Sequence, residues 1–255
     1  MESRQASVYQ ELAPPASLAP YVKCLWIQRV SAGESYDQPV LPDACMDVVA
    51  AGDAVLLAGP ATRTTTLTLA PGALTVGVRF RTGAAPSLIG ASASELRDLD
   101  VPLGDLWGRS GDAIASEVLE TSPWRARLGA MVEGLVGRLS HARRLDPVGI
   151  GVAAALAEAP ERPVPLLAAD IGLSERQLRR RVEDAVGYPP RMLARILRFQ
   201  RFLGAARALG PGRHLAFLAA EAGYADQAHL TRDCRELGGL PPAALLRWEA
   251  ERLAR

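Results

Sequence analysis

The spacing of apolar positions changes part-way along the chain. Up to about residue 82, β-branched and aromatic residues come in short runs of partial alternation, which predicts strands at residues 22–30 and 74–81. Residues 48–57 read as a hairpin around Gly52-Asp53, and 64–69 alternate again, with Gly33, Pro39, Pro42, Gly59-Pro60 and Pro71-Gly72 punctuating the runs. From Gly83 the period lengthens. Residues 84–99 and 112–120 are predicted helical, and 124–140 carry Leu128, Met131, Val132, Leu135, Val136 and Leu139 at helical spacing. A charged stretch, His141 to Asp146, ends in an Asp-Pro helix start at Pro147. The predicted architecture is therefore a multi-domain α+β chain. A β-rich α+β domain (1–141) precedes an all-α domain (142–255).

Composition narrows the classes without deciding among them. The chain has 255 residues, 49% hydrophobic and 22% charged, which suits two domains with cores of their own and excludes disorder or a simple coiled coil. No apolar run approaches a membrane span, and residues 1–5 lead into no signal-peptide stretch. Three cysteines make no disulfide framework, so the expectation is a soluble protein of the reducing cytoplasm, with no membrane partner. The net charge of +1 hides an asymmetry: residues 1–160 hold 13 basic against 17 acidic side chains, residues 161–255 hold 16 against 11. A basic C-terminal third suggests a polyanion partner. Arg alone is weak evidence here, because Lys23 is the single lysine beside 28 arginines.

That basic third contains a duplication. Leu167-Ala-Ala-Asp-Ile-Gly-Leu173 aligns with Leu218-Ala-Ala-Glu-Ala-Gly-Tyr224 at an offset of 51. Ser174, Leu178, Arg180, Gly187, Pro189 and Pro190 align with Asp226, Leu230, Arg232, Gly239, Pro241 and Pro242 at an offset of 52, the extra residue falling in the turn at Ala225. Each copy reads as a short helix, a glycine turn, an N-cap (Ser174 or Asp226) and a second helix: two helix-turn-helix units. On helix 175–185, Leu178 and Val182 share one face while Arg176, Arg179 and Arg180 lie opposite. In the second copy Leu230, Cys234 and Leu237 face inward, and Ala228, Thr231, Arg232 and Arg235 outward. A helix with a core stripe and a cationic back suits a major groove. Residues 191–209 form a predicted linking helix of roughly 28 Å at ~1.5 Å per residue, close to the ~34 Å between successive grooves on one face of DNA.

With these motifs, residues about 147–252 resemble the DNA-binding domain of the AraC/XylS family of transcriptional regulators. The second copy, Ala219 to Arg232 with Gly239-Leu-Pro-Pro242, is similar to the family's signature segment. The front half is similar to a group of effector domains found in such regulators, through Leu41 to Asp47, Gly59-Pro-Ala-Thr62 and Gly77 to Ala85. The resemblance implies double-stranded DNA as partner, RNA polymerase as a further one, and activation rather than simple repression.

On that reading Arg176, Arg179, Arg180, Gln227, Ala228, Thr231 and Arg232 are the expected base contacts. Arg191, Arg195, Arg198 and Arg235 are the expected phosphate contacts, with His229 either beside them or simply packed. Trp26, Asp43, Cys45, Met46, Asp47, Arg79 and Phe80 form a mixed set that either lines an effector pocket or makes a buried ion pair with an aromatic core. A small-molecule effector and homodimerisation both fit the front domain. Cys234 reads as a small core hydrophobe. The three histidines (His141, His214, His229) all lie outside the β-rich part, and no C-x-x-C, nucleophile elbow, P-loop or dinucleotide fingerprint occurs. Neither metal, cofactor nor enzymatic activity is expected. The rival class is an interaction scaffold whose helical domain binds a protein.

Overall fold

The computed structural model describes residues 7–210 and 214–254, so the reading of residues 1–5 lies outside it. Eight described strands are β1 (Ser7–Leu12), β2 (Val22–Val30), β3 (Tyr36–Val40), β4 (Asp47–Ala51), β5 (Ala54–Ala58), β6 (Thr65–Leu69), β7 (Leu74–Phe80) and β8 (Asp100–Pro102). Six of them form an antiparallel sheet in the order β1-β2-β7-β4-β5-β8, and β3 pairs with β6 as a separate ribbon. The β4–β5 hairpin closes through Gly52-Asp53, where Gly52 takes φ +59 as a glycine-first two-residue turn requires.

Strand alternation divides the sheet into two faces with different chemistry. Leu25, Ile27, Val48, Ala50, Val76, Val78 and Phe80 point into an apolar core. Over it lie α1 (Ala85–Ile89), α2 (Leu103–Trp107), α3 (Arg109–Glu120) and α4 (Trp124–Gly137), joined in that core by Leu88, Leu103, Val118 and Met131. The opposite face carries Trp26, Gln28, Asp47 and Arg79. Gln28 donates to Gln38 of β3 at 2.7 Å, which ties the ribbon to this face. Gly77 is required there, since a Cβ at that position would meet the Trp26 ring at 2.3 Å.

Two expectations need correction. Residues 84–99 do not form one helix: α1 stops at Gly90 (φ +89), and hydrogen-bonded turns built on Ser92 and Glu95 follow it. β1, β3 and β8 were absent from the periodicity because none of their residues is buried, β8 has only three residues, and β3 contains Pro39.

The rest is helical: α5 (Pro147–Glu158), α6 (Val164–Asp170), α7 (Glu175–Val186), α8 (Pro190–Leu209), α9 (Leu215–Glu221), α10 (Gln227–Gly238) and α11 (Pro242–Ala254). Asp146 caps α5 by accepting from Val148 N at 3.0 Å. The core is organised by α8, whose Leu193, Ile196, Phe199, Phe202 and Leu203 are at most 1% exposed. Each such side chain contributes ~1.5–3 kcal/mol on burial. No described helix is long and apolar enough to cross a membrane.

The two halves share a seam that periodicity did not reveal. Leu41 and Ala44, from the loop after β3, pack into the helical core, with Ala44 at φ +60. The Gln200 amide on α8 donates to Pro42 O at 2.6 Å, and the Tyr188 hydroxyl to Ala61 O at 2.7 Å. Ala93 N donates to Asp184 O at 2.9 Å, and Thr64 donates through both its backbone N–H (3.0 Å) and its hydroxyl (2.6 Å) to Leu237 O. The front domain therefore grips the last turns of both α7 and α10.

Candidate nucleic-acid interface

The two units are built by the same local rules. In the first, α6 gives way through Gly172 (φ +65) to Ser174, whose hydroxyl accepts from Gln177 N while the Gln177 side chain accepts from Ser174 N at 3.0 Å, a capping box. In the second, α9 ends through Gly223 (φ +83), and Asp226 accepts from His229 N at 2.7 Å. Both recognition helices, α7 and α10, then terminate in left-handed glycines, Gly187 and Gly239. Leu178 and Val182 in one, Leu230, Cys234 and Leu237 in the other, are buried at 0–1% exposure.

Their other faces are open. Arg176, Arg179 and Arg180 are exposed on α7, and Gln227, Ala228, Arg232 and Arg235 on α10, with Thr231 half-buried between them. Arg176 and Arg180 have no carboxylate partner among the described residues. Arg179 pairs with Glu183 at 2.9 Å on the surface, a contact that holds it by less than ~1 kcal/mol. The Thr231 hydroxyl donates to Gln227 O at 2.7 Å, which leaves its methyl as the group it can offer a base. The front domain meets these helices at their C-terminal ends and leaves this set uncovered.

The three expected phosphate contacts on the linking helix sit in different surroundings. Arg191 is exposed at the start of α8. Arg195 instead turns to α10: Nε and Nη2 donate to Asp233 Oδ1 at 3.0 and 2.8 Å, and Nη2 also reaches Glu236. Asp233 is 1% exposed, so Arg195 compensates a buried charge. The guanidinium expected to meet a phosphate is thus held by two carboxylates. Asp233 itself escaped sequence reading, although a carboxylate flanked by core positions on an amphipathic helix was the available signal. Arg198 lies 5.3 Å over the Tyr224 ring, with Nη1 3.2 Å from His229 Nε2 and Nη2 donating to Pro160 O at 3.3 Å.

In the front domain the mixed set separates. Asp47 receives Arg79 through Nε (3.1 Å) and Nη2 (3.0 Å) and Trp26 Nε1 at 3.1 Å, while Arg79 Nη1 also reaches Asp43 at 3.4 Å. Burial raises the Asp47 pKa and opposes the Arg79 charge, which Asp47 and Asp43 more than restore. Burial pushes the Cys45 thiol up, and its Sγ faces Asp43 O at 3.7 Å. Met46 and Phe80 belong to the apolar core on the far face. Arg79 lies on the other face, because adjacent strand residues such as Arg79 and Phe80 point to opposite sides.

Two family models match separate parts of the chain. Residues 167–247 match the family model described as a helix-turn-helix domain, and residues 10–102 match a domain of unknown function, DUF6597. No curated protein matches the chain. Among solved structures, it is similar to ToxT from Vibrio cholerae O395 (12% identity, TM-score 0.46, covering 96% of this chain and 98% of that one). It is also similar to unsaturated fatty acid-bound wild-type ToxT from V. cholerae strain SCE256 (11% identity, TM-score 0.44, 94% of each chain). With two capped, glycine-turned units inside the matched segment, residues 167–247 are the helix-turn-helix domain of this chain.

Proposed function

We propose that the protein is a sequence-specific DNA-binding regulator of transcription that reads two adjacent major-groove segments with α7 and α10. The carrying observation is the duplicated, capped recognition helix whose cationic or polar back is solvent-exposed in both copies. Arg176, Arg179 and Arg180 on α7 and Gln227, Ala228, Thr231 and Arg232 on α10 are the base-reading groups. Arg191 and Arg235 are exposed and free to meet phosphate. α8, with 20 residues, is the spacer of roughly 30 Å. Arg195 and Arg198 brace it against α10.

The front domain is the sensing or dimerising part, with a small molecule as its signal; ToxT crystals holding a fatty acid make that class of signal worth testing first. Activation through RNA polymerase is the regulatory sense we assign. Leu166 and Phe217 are 56% and 46% exposed at repeat-equivalent positions of α6 and α9, which offers a protein partner apolar contact.

The test is selection of binding sites from random duplexes with the full chain, followed by affinities of Arg180→Ala and Arg232→Ala. Each is expected to lose about 5–100-fold and to relax preference at one base pair. Unchanged affinity and unchanged preference in both variants would sink the assignment.

A further inference from the structure

A cleft of about 370 Å³ opens between α8 and residues 160–165, the loop that leads into α6 with its first turn. Four of its lining residues are arginines, Arg162, Arg191, Arg195 and Arg198, against one carboxylate, Glu161. The loop is stiffened by Pro160, Pro163 and Pro165, so its wall needs little ordering when a ligand arrives.

The four cations are not equivalent. Arg162 is paired with Asp170 and Arg195 with Asp233 and Glu236. Arg191 and Arg198 have no carboxylate partner among the described residues. A guanidinium offers five N–H donors. Arg198 commits one to Pro160 O, sets a second terminal nitrogen against His229, and keeps Nε buried with no hydrogen-bond partner. Arg191 stands in the first turn of α8, whose unsatisfied N–H groups and dipole favour negative charge. Glu161 reaches toward the turn of the second unit, its Oε2 lying 3.3 Å from where a Cβ on Gly223 would stand.

We propose that this cleft is a binding site for a phosphate-class oxyanion, held by Arg191 and Arg198. Two sources share that chemistry. One is the backbone of the duplex between the two grooves, since the cleft joins the lead-in of the first unit to α10 of the second through Arg198 and His229. The other is a free phosphorylated small molecule. Only the first source rests on the DNA-binding reading.

The experiment uses the full chain as wild type, Arg191→Gln and Arg198→Gln, with Arg125→Gln as a charge-matched control on the remote α4. In one arm, affinity for random duplex DNA is measured against salt. Loss of one phosphate contact makes the log–log slope shallower by ~0.9, a roughly threefold weaker salt response between 50 and 200 mM, in the cleft variants and not in the control. In the other arm, inorganic pyrophosphate is added without DNA, and a rise in melting temperature that the cleft variants lose identifies a free ligand. A change in either arm supports the site and names its source. Slopes equal to the control together with no pyrophosphate response overturn the site, while DNA binding by all variants leaves the proposed function standing. Arg191 is exposed, so Arg191→Gln decides the matter even where Arg198→Gln, which loses packing on Tyr224, fails to fold.

Discussion

The hydroxyl of Tyr188 donates to the carbonyl of Ala61 at 2.7 Å, joining residues 127 positions apart and on opposite sides of the domain seam. Tyr188 is completely buried and follows Gly187, which ends α7 at φ +85. A Cβ on Gly187 would come within 2.4 Å of Pro60 and 3.0 Å of Ala93 O. The end of the first recognition helix thus fits the front domain with no space for one added methyl.

Tyr188→Phe leaves the Ala61 carbonyl without that donor, so denaturant unfolding should show a loss of about 1–2 kcal/mol. Gly187→Ala combines strain at positive φ with the Pro60 clash, and should cost more than ~2 kcal/mol. Thr64 and Ala93 hold the last turns of α10 and α7 from the same side, so loosening the seam widens the relative orientations of the two helices. Affinity for a full two-unit site is then expected to fall about tenfold in Gly187→Ala, while a half-site reading α7 alone changes little. Equal losses on both sites would separate the seam from DNA binding.

The helical half was legible because its determinants are local. Gly turns, Ser174 and Asp226 caps and the Leu178/Leu230 stripes each act within a turn of helix, and duplication let one copy check the other. The seam was not legible, because Pro42, Ala44, Pro60 and Ala61 have no periodic signature and their partners lie in a different element. In hindsight, the three stretches that carried the front domain's resemblance all approach the helical half: Pro42 accepts from Gln200, Pro60 would meet a Cβ on Gly187, and a Cβ on Gly83 would stand 3.3–3.5 Å from Ile150. The pairing of Arg195 with Asp233 was not legible for the same reason. Nothing in a helix-face argument shows that an apparently outward arginine has a buried carboxylate on a neighbouring helix.

The two caps predict separate stabilities. Ser174→Ala removes the hydroxyl that accepts from Gln177 N in the capping box, and Asp226→Ala removes a charge-assisted acceptor at His229 N. Each should lower unfolding free energy by about 1 kcal/mol, readable by chemical denaturation. Frayed first turns also displace Arg176 and Gln227, so DNA affinity should fall in parallel, whereas Ser174→Asp should retain both properties.

The thiols should be silent at ordinary pH. Burial pushes Cys24 up to about 11 and Cys234 to about 12 from an ordinary 9.0, and raises Cys45 as well. At pH 8 the Cys24 thiolate fraction is then about a hundredfold below that of an unperturbed thiol, so alkylation of native protein should be slow and should accelerate on unfolding. Its rate should keep climbing through pH 10, where an ordinary thiol has levelled off. Because the folded pKa values are raised, the thiols' contribution to stability is complete below about pH 9 and declines as pH rises through 11. Rapid labelling at pH 8 in native buffer would contradict the burial of these side chains.

Arg195 distinguishes internal bracing from DNA contact more sharply than any other residue. Asp233, at 1% exposure, depends on two hydrogen bonds from the Arg195 guanidinium, with His229 Nε2 farther off at 3.8 Å. Arg195→Met leaves that carboxylate buried and uncompensated, an effect of about 3–5 kcal/mol. Replacing both partners, as Arg195→Met with Asp233→Leu, removes the stranded charge and should recover more than half of the loss. A double-mutant cycle by urea denaturation measures this directly. If Arg195 served only as a phosphate contact, the single variant would keep wild-type stability and show a shallower salt slope instead, and the cycle would give no coupling to Asp233.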